Sequence, residues 1–317
     1  MRGALLCLLS AAAFGTLGVF GKLASDAGSN TATTLLVRFA LAGAVFAVVL
    51  RVTGRWAALR RQPRRVVLTG LGLGAFGYSL QSGLFFAAIE RLDVSMVALL
   101  LYTYPAFVTV AAIVLGRVAP SLRAGVALTV ASAGLVLVLL AGGGGGFEVV
   151  GALLALGASL TYTTYILVSD TVIGSIDPLA LALLVLTGAA ASFTVVGVGT
   201  GSLELGLSGQ AWLWLVLIAL VSTVVAVSCF FAGLRHVGPS EAAILSTFEP
   251  PVTVVLAFLV LGERLTVPQL AGGALVLAAV VMLQLRGGAG ERQLRLGRES
   301  GEAGGAGFLE ASHPGVT

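Results

Sequence analysis

The chain alternates between long apolar stretches and short polar breaks, and this pattern predicts membrane-spanning helices. Charges, glycines and prolines divide it into ten apolar stretches of about 20 residues, the length that crosses a bilayer as a helix. Because backbone polar groups inside lipid must be hydrogen-bonded within the protein, we predict an all-α membrane protein with ten transmembrane helices. The predicted spans are 4–21, 31–50, 66–88, 94–115, 123–141, 149–169, 179–200, 211–233, 240–261 and 267–285.

The composition excludes an ordinary soluble domain. Hydrophobic residues make up 58% of the 317 residues and charged residues only 10%, with a mean hydropathy of +1.05. A soluble domain carries about 25% charged residues. The lipid bilayer is therefore the first expected partner. The net charge of +4 does not indicate nucleic acid, because the basic residues lie in short connectors and in the C-terminal segment rather than on one face.

The distribution of basic residues predicts the orientation of the spans. With the N-terminus in the cytoplasm, fourteen of the eighteen Lys and Arg residues lie on the cytoplasmic side, six of them in the connector 51–65. Three lie outside, and Arg38 lies within a span. We therefore expect a multi-pass protein of the cell (inner) membrane with both termini cytoplasmic. The alternative for the first span is a secretory signal that begins at Arg2, but the apolar run continues through Phe20.

An internal repeat relates the two halves of the chain. Residues 85–88 (FFAA) match residues 230–233 (FFAG) at an offset of 145, and the same offset pairs Pro105 with Pro250. Since each half holds five spans, an odd number, the second half must enter the membrane inverted, which is typical of secondary transporters. The predicted division is a first five-helix repeat at 1–141, a Gly-rich connector at 142–148, a second repeat at 149–286 and a disordered cytoplasmic tail at 287–317.

Four motifs carry a resemblance to a known family: Arg38-Phe39, Tyr104-Pro105, Glu249-Pro250-Pro251, and the segment 261–266 (LGERLT) followed by Gln269 and Gly272. Over about residues 1–286 the chain resembles the EamA family of the drug/metabolite transporter superfamily. The resemblance implies two inverted five-helix repeats around a central cavity. It also implies efflux of small metabolites, amino acids or drugs by alternating access, with proton exchange as the expected coupling.

The chain departs from the family pattern at one position. The first half has Gly116-Arg117 where the family often has Gly-Glu, as in Gly262-Glu263 of the second half. This difference weakens a role for Glu263 in transport chemistry. We expect Glu263 to be a helix-end residue, since acidic side chains favour helix N-termini.

Two charged residues within spans are the first candidates for transport chemistry, because an intramembrane charge usually faces a cavity or a partner. Glu249 lies about 14 Å deep in the ninth span, where desolvation makes protonation accessible. It is either a proton-coupling site or a partner for a substrate ammonium, or else a structural acid. Arg38 lies about 10 Å below the outer surface. It binds a substrate carboxylate, pairs with Glu249, or extends to the outer interface.

Prolines in the middle of two spans mark the predicted central site. Pro105 and the pair Pro250 and Pro251 remove backbone donors and should kink the fourth and ninth spans. Such irregular backbone is tolerated where it lines a cavity. The further polar candidates for this site are Tyr102, Tyr104, Gln81, Ser82, Ser246, Tyr162 and Tyr165.

No motif predicts enzyme chemistry, a metal site or a cofactor. The GxGxxG pattern at 72–77 lies inside a span, without the strand and the acidic ribose partner of a dinucleotide site. We expect a non-enzymatic transporter, as a monomer or homodimer, with no nucleic-acid partner. The alternative function is a sugar-nucleotide or phosphorylated-metabolite exchanger of the same superfamily. It ranks second because a polyanionic substrate needs several cavity cations, and Arg38 alone lies within a span.

Overall fold

The structure is a computed structural model that describes residues 1–141, 148–173 and 175–284. The predicted tail, and all of the predicted connector except Glu148, lie outside these residues. Ten helices in the described part of the chain are long and apolar enough to cross a membrane, which confirms the predicted all-α architecture. In the first half they are α1 Arg2–Asp26, α2 Thr31–Val52, α3 Arg64–Ile89, α4 Val94–Val114 and α5 Leu122–Leu140. In the second half they are α6 Val149–Val172, α7 Pro178–Thr200, α8 Gly209–Val237, α9 Glu241–Leu261 and α10 Val267–Gln284.

Polar residues at the connectors define where several helices begin and end. The side chain of Asn30 accepts a hydrogen bond from the backbone N–H of Thr33 (2.9 Å) at the start of α2, and Asp177 and Ser208 cap α7 and α8 in the same way. These caps satisfy backbone donors that have no partner inside the helix. At the end of α7, Gly201 has φ +65°, a left-handed conformation that glycine adopts without steric cost.

The contacts that the helices of one half make are repeated by the equivalent helices of the other half. Helix α1 packs against α8 and α9, while its counterpart α6 packs against α3 and α4, and α2 packs against its own counterpart α7. Helices α5 and α10 approach closely at Gly134 and Gly272. A Cβ atom on Gly134 would lie 2.6 Å from the carbonyl oxygen of Gly272, so glycine is required there. This pattern is expected for two equivalent halves; their inverted orientation stays a prediction.

Two pairs of equivalent helices are irregular at matching places. Helices α3 and α8 contain π-helical segments at Leu73–Tyr78 and Leu220–Val225. Helix α4 is interrupted at residues 102–103 and α9 at residues 247–248, which the 145-residue repeat offset relates. Pro105 and Pro250 each lie in the first turn of the helical segment after the interruption, where a missing N–H costs nothing.

Glu263 joins the second half of the protein to the first. One carboxylate oxygen accepts a hydrogen bond from the backbone N–H of Val94 (2.8 Å), and the other accepts from the N–H (2.9 Å) and hydroxyl (2.7 Å) of Ser95. Asp93, the residue before α4, makes no side-chain cap of its own. The connector between α9 and α10 therefore supplies the cap for the first turn of α4, which is a helix-end role.

Candidate functional site

A cavity of about 110 Å³ lies between helices of both halves, at the interruptions of α4 and α9. Seven of the nine side chains that the sequence nominated for binding line it: Arg38, Gln81, Ser82, Tyr102, Tyr104, Tyr162 and Glu249. Apolar residues of α1, α3 and α4 form part of the remaining wall, among them Phe14, Leu17 and Phe85. Residues far apart in the sequence thus meet in one partly polar chamber.

Arg38 is held in place by one residue from each half. Its side chain is buried, with the residue 2% exposed, and its Nε donates to the hydroxyl of Thr223 while its Nη2 donates to the hydroxyl of Tyr78, both at 3.0 Å. Tyr78 and Thr223 are separated by 145 residues, the offset of the repeat, and each lies in a π-helical segment. The guanidinium carbon also lies 5.0 Å from the ring centre of Phe39, within cation–π range. The two halves therefore orient one cation together.

Two of the alternatives that the sequence left open for Arg38 are wrong. The side chain does not extend to the membrane interface, because it is buried between the helices and bonded there. It also forms no ion pair with Glu249; the ion pairs within the described residues are Lys22–Asp26, Arg55–Asp177 and Arg91–Glu148. The two opposite charges line the same cavity without neutralising each other directly.

Glu249 opens the helical segment Glu249–Leu256 that follows the interruption of α9. One of its carboxylate oxygens accepts a hydrogen bond of 2.7 Å from the hydroxyl of Tyr102, which also points to the carbonyl oxygen of Ser246 at 3.0 Å. A negative charge is favourable in the first turn of a helix, where the backbone N–H groups are unpaired. At the repeat offset, the counterpart of Glu249 in the first half is Tyr104, which opens the segment Tyr104–Val114.

All five tyrosines of the chain form one continuous cluster around the cavity. Adjacent ring centres lie 4.7–5.8 Å apart in the order Tyr102, Tyr104, Tyr162, Tyr165 and Tyr78. Tyr165 is the member behind the cavity wall, packed against two tyrosines that line it. The faces of aromatic rings are electronegative and attract cations, so the tyrosines that line the cavity can add to the attraction of the adjacent carboxylate for a positive group.

Ser246 is positioned differently from the other candidates. Its hydroxyl donates to the carbonyl oxygen of Ala242 (2.9 Å), so only its backbone carbonyl takes part in the hydrogen bonds at Glu249. Sequence reasoning also missed Tyr78 and Thr223, the two partners of Arg38. The signal that could have found them is the repeat itself, because the 145-residue offset pairs these two positions.

Comparison with known proteins agrees with this architecture. The EamA-like transporter family matches residues 1–140 and 149–285, and the chain belongs to that family. An uncharacterized transporter of Archaeoglobus fulgidus is 29% identical over 275 residues, which cover 87% of this chain and 93% of that protein. A crystal structure with 17% sequence identity superposes with a TM-score of 0.63 over 89% of this chain and 97% of the other, which shows a shared fold. The protein is a membrane-embedded transporter of the drug/metabolite type and not an enzyme.

Proposed function

We propose that this protein is a secondary transporter that exports small zwitterionic or cationic metabolites, such as amino acids, across the cell membrane in exchange for protons. The observation that carries the proposal is the placement of Arg38 and Glu249 on one cavity whose lining includes four tyrosines. A substrate with a carboxylate and an ammonium group matches these two charges. The Arg-rich connector 51–65 faces the cytoplasm in this proposal, as the positive-inside rule predicts.

The size of the cavity favours a small substrate. At about 110 Å³ it is well below the roughly 300–1,000 Å³ of pockets that hold drug-sized ligands. Desolvated polar groups in such a chamber also select strongly, because a substrate that leaves one of them unpaired loses affinity. Small metabolites therefore fit this conformation better than bulky drugs.

Each charged residue has a free position for substrate. Tyr78 and Thr223 occupy Nη2 and Nε of Arg38, which leaves Nη1 as the nitrogen that the described residues do not engage. One oxygen of Glu249 is bonded to Tyr102, which leaves the other for an ammonium group or a proton. We infer that these two ligands exclude each other on Glu249, which would couple export to proton entry.

The helix interruptions provide a route for alternating access. In inverted-repeat transporters the two halves rock around a central site, and broken helices surround that site. Here the interruptions of α4 and α9 both lie at the cavity. We propose that the half-helices after them move with their own repeats, so that Glu249 and Tyr104 close the cavity from opposite halves.

Flux into proteoliposomes tests this function. The assay offers a panel of amino acids, the corresponding amines and a sugar phosphate, with and without a pH gradient across the membrane. We expect Glu249→Gln to abolish flux driven by the pH gradient while the protein stays folded. Glu241→Gln is the matched control, because that carboxylate is exposed at the start of the same helix. Gradient-driven flux in Glu249→Gln would refute the coupling role, and exchange of the sugar phosphate would support the alternative function.

A further inference from the structure

A second pocket, distinct from the substrate cavity, lies beside the connector between α2 and α3. It is about 640 Å³ in volume and sits between the short helix Trp56–Arg60, the first two turns of α3 and the side of α7. We refer to it as the arginine pocket. Its lining residues are Leu59, Arg60, Gln62, Arg64, Val67, Leu68 and Leu184. We propose that the arginine pocket binds an anionic phospholipid.

The pocket changes from cationic to apolar along the direction in which a lipid would lie. Arg60 and Arg64 are exposed at one end, in the connector and at the first residue of α3. Val67 and Leu68 lie about one turn further into the span, which is about 5 Å at 1.5 Å per residue. Leu68 is 66% exposed, so it faces the lipid. A headgroup phosphate at the arginines would therefore place its acyl chains along the apolar end.

Arg60 and Arg64 differ from two neighbouring arginines that have partners within the protein. Arg55 of the same connector pairs with Asp177 (3.3 Å), and the guanidinium of Arg51 lies 4.7 Å from the ring centre of Trp56. No such partner occupies the side chains of Arg60 and Arg64 among the described residues. Arg64 also lies in the first turn of α3, which has no acidic residue, where the helix dipole already disfavours a positive charge. A bound anion would offset the unfavourable interaction between the Arg64 charge and the start of α3.

The apolar wall points to a lipid rather than to a free anion. Basic pockets at the ends of membrane helices attract anionic headgroups through charge, and acyl chains add apolar contact that a soluble phosphate lacks. Gln62 supplies an amide for hydrogen bonds to the headgroup, and the buried Leu184 of α7 lies against the apolar part. An anionic glycerophospholipid such as phosphatidylglycerol combines both requirements.

The competing explanation is that these arginines only orient the protein during insertion. Detergent-solubilised protein separates the two explanations, because orientation has no meaning in a micelle. The orientation rule alone predicts no preference among lipids for purified protein. The arginine pocket predicts that phosphatidylglycerol binds more tightly than phosphatidylcholine with the same acyl chains.

Native mass spectrometry of the purified protein, titrated with each of these two lipids, is the test. One arginine near an anionic lipid contributes about fivefold in affinity, so Arg60→Gln with Arg64→Gln should weaken phosphatidylglycerol binding about 25-fold. Binding of phosphatidylcholine should stay the same. The matched control is Arg117→Gln with Arg123→Gln, which removes two exposed arginines, one from the connector between α4 and α5 and one from the first turn of α5, and should leave the preference unchanged.

Three outcomes would overturn the proposal. Wild-type protein that binds both lipids equally would show that the pocket does not select an anionic headgroup. An equal loss in both double variants would assign the preference to net charge rather than to the pocket. Full competition by glycerol phosphate would show that the acyl chains contribute nothing and that the ligand is a soluble anion. Because all four arginines are exposed, size-exclusion profiles of the variants should match wild type.

Discussion

Replacing Glu263 measures how strongly the second half of the protein holds the first. Its carboxylate accepts three hydrogen bonds of 2.7–2.9 Å from Val94 and Ser95 at the start of α4. Glu263→Ala removes all of them and leaves two backbone N–H groups without a protein partner. Glu263→Gln keeps one acceptor oxygen, which in the position of Oε2 still accepts the N–H and the hydroxyl of Ser95, but its NH₂ group cannot accept the N–H of Val94. The two substitutions therefore remove the contact in steps.

The expected magnitude follows from the number of bonds and the partial burial of the site. Loss of a helix cap costs about 0.5–2 kcal/mol, and hydrogen bonds to charged groups contribute about 1.5–3 kcal/mol when buried. Because Glu263 is only half-buried, water replaces part of the cap, and we expect a loss of about 2 kcal/mol for Ala and about half of that for Gln. By the scaling of large soluble domains, the first value lowers the melting temperature by about 4–6 °C.

The protein offers a convenient probe and a matched control for this measurement. Its two cysteines, Cys7 and Cys229, are free and lie within spans, so a thiol-reactive fluorophore reports their exposure on heating. Arg117 occupies the position equivalent to Glu263 in the first half and is exposed, so Arg117→Gln should change the melting temperature little. Scans at one heating rate are required, because unfolding of such proteins is often irreversible.

The order of the apparent melting temperatures decides the outcome. We expect wild type and Arg117→Gln together at the top, then Glu263→Gln, then Glu263→Ala. An unchanged melting temperature in Glu263→Ala would mean that water replaces the cap without loss of stability. The contact between Glu263 and the start of α4 would then not stabilise the association of the two halves. A fall in Arg117→Gln as large as in Glu263→Ala would mean that any substitution after the helix-ending glycine destabilises the protein.

Three further predictions concern packing and substrate recognition. Gly74→Ala should remove the folded-protein peak from a size-exclusion profile, because the new Cβ would lie 1.9 Å from a carbonyl oxygen of α7. Gly72→Ala is the control and should be tolerated, because open space surrounds that position. Arg38→Lys should lower kcat/KM for an amino acid at least about tenfold relative to the corresponding amine, because a single ammonium cannot bond Thr223 and Tyr78 and still present a fixed donor to the carboxylate, as the planar guanidinium does; equal losses for both substrates would refute a carboxylate contact. Tyr104→Leu should raise KM for a cationic substrate about fivefold through loss of a cation–π contact, while Tyr104→Phe stays near wild type, and equal KM values for Leu and Phe would contradict this role.

The sequence was informative about the fold because a lipid environment permits few backbone structures. A stretch of about 20 apolar residues in a bilayer must satisfy its backbone by forming a helix. Apolar stretches and the polar breaks between them therefore predicted ten spans, and the described residues contain ten helices long and apolar enough to cross a membrane. The identity of the family followed from short motifs such as those at Arg38 and Glu249, and the family match covers both halves. The division into repeats and the cytoplasmic termini stay predictions.

The candidate site was only partly accessible from the sequence. Rare polar residues within spans identified seven of the fifteen residues that line the cavity, since such residues are costly in lipid unless they face a cavity. The hydrogen-bond partners of these residues could not be predicted from the sequence, because Arg38 bonds to Thr223, which lies 185 residues away. The burial of Arg38 could not be inferred from its depth in a span either. Tyr78 was overlooked because nothing in its local sequence distinguishes it from a residue that faces lipid.

The sequence by itself thus determined the number of membrane-length helices in the described residues, the class of protein and most of the polar residues of the cavity, because the bilayer acts on each span separately. Only the tertiary structure decided which groups meet. In the folded protein Arg38 donates hydrogen bonds to two repeat-related residues rather than to Glu249. The rings of all five tyrosines pack in one cluster, and the carboxylate of Glu263 lies at the start of α4. These contacts depend on how helices from opposite halves pack against each other, and packing between distant spans is a property of the whole fold rather than of any single stretch of the chain.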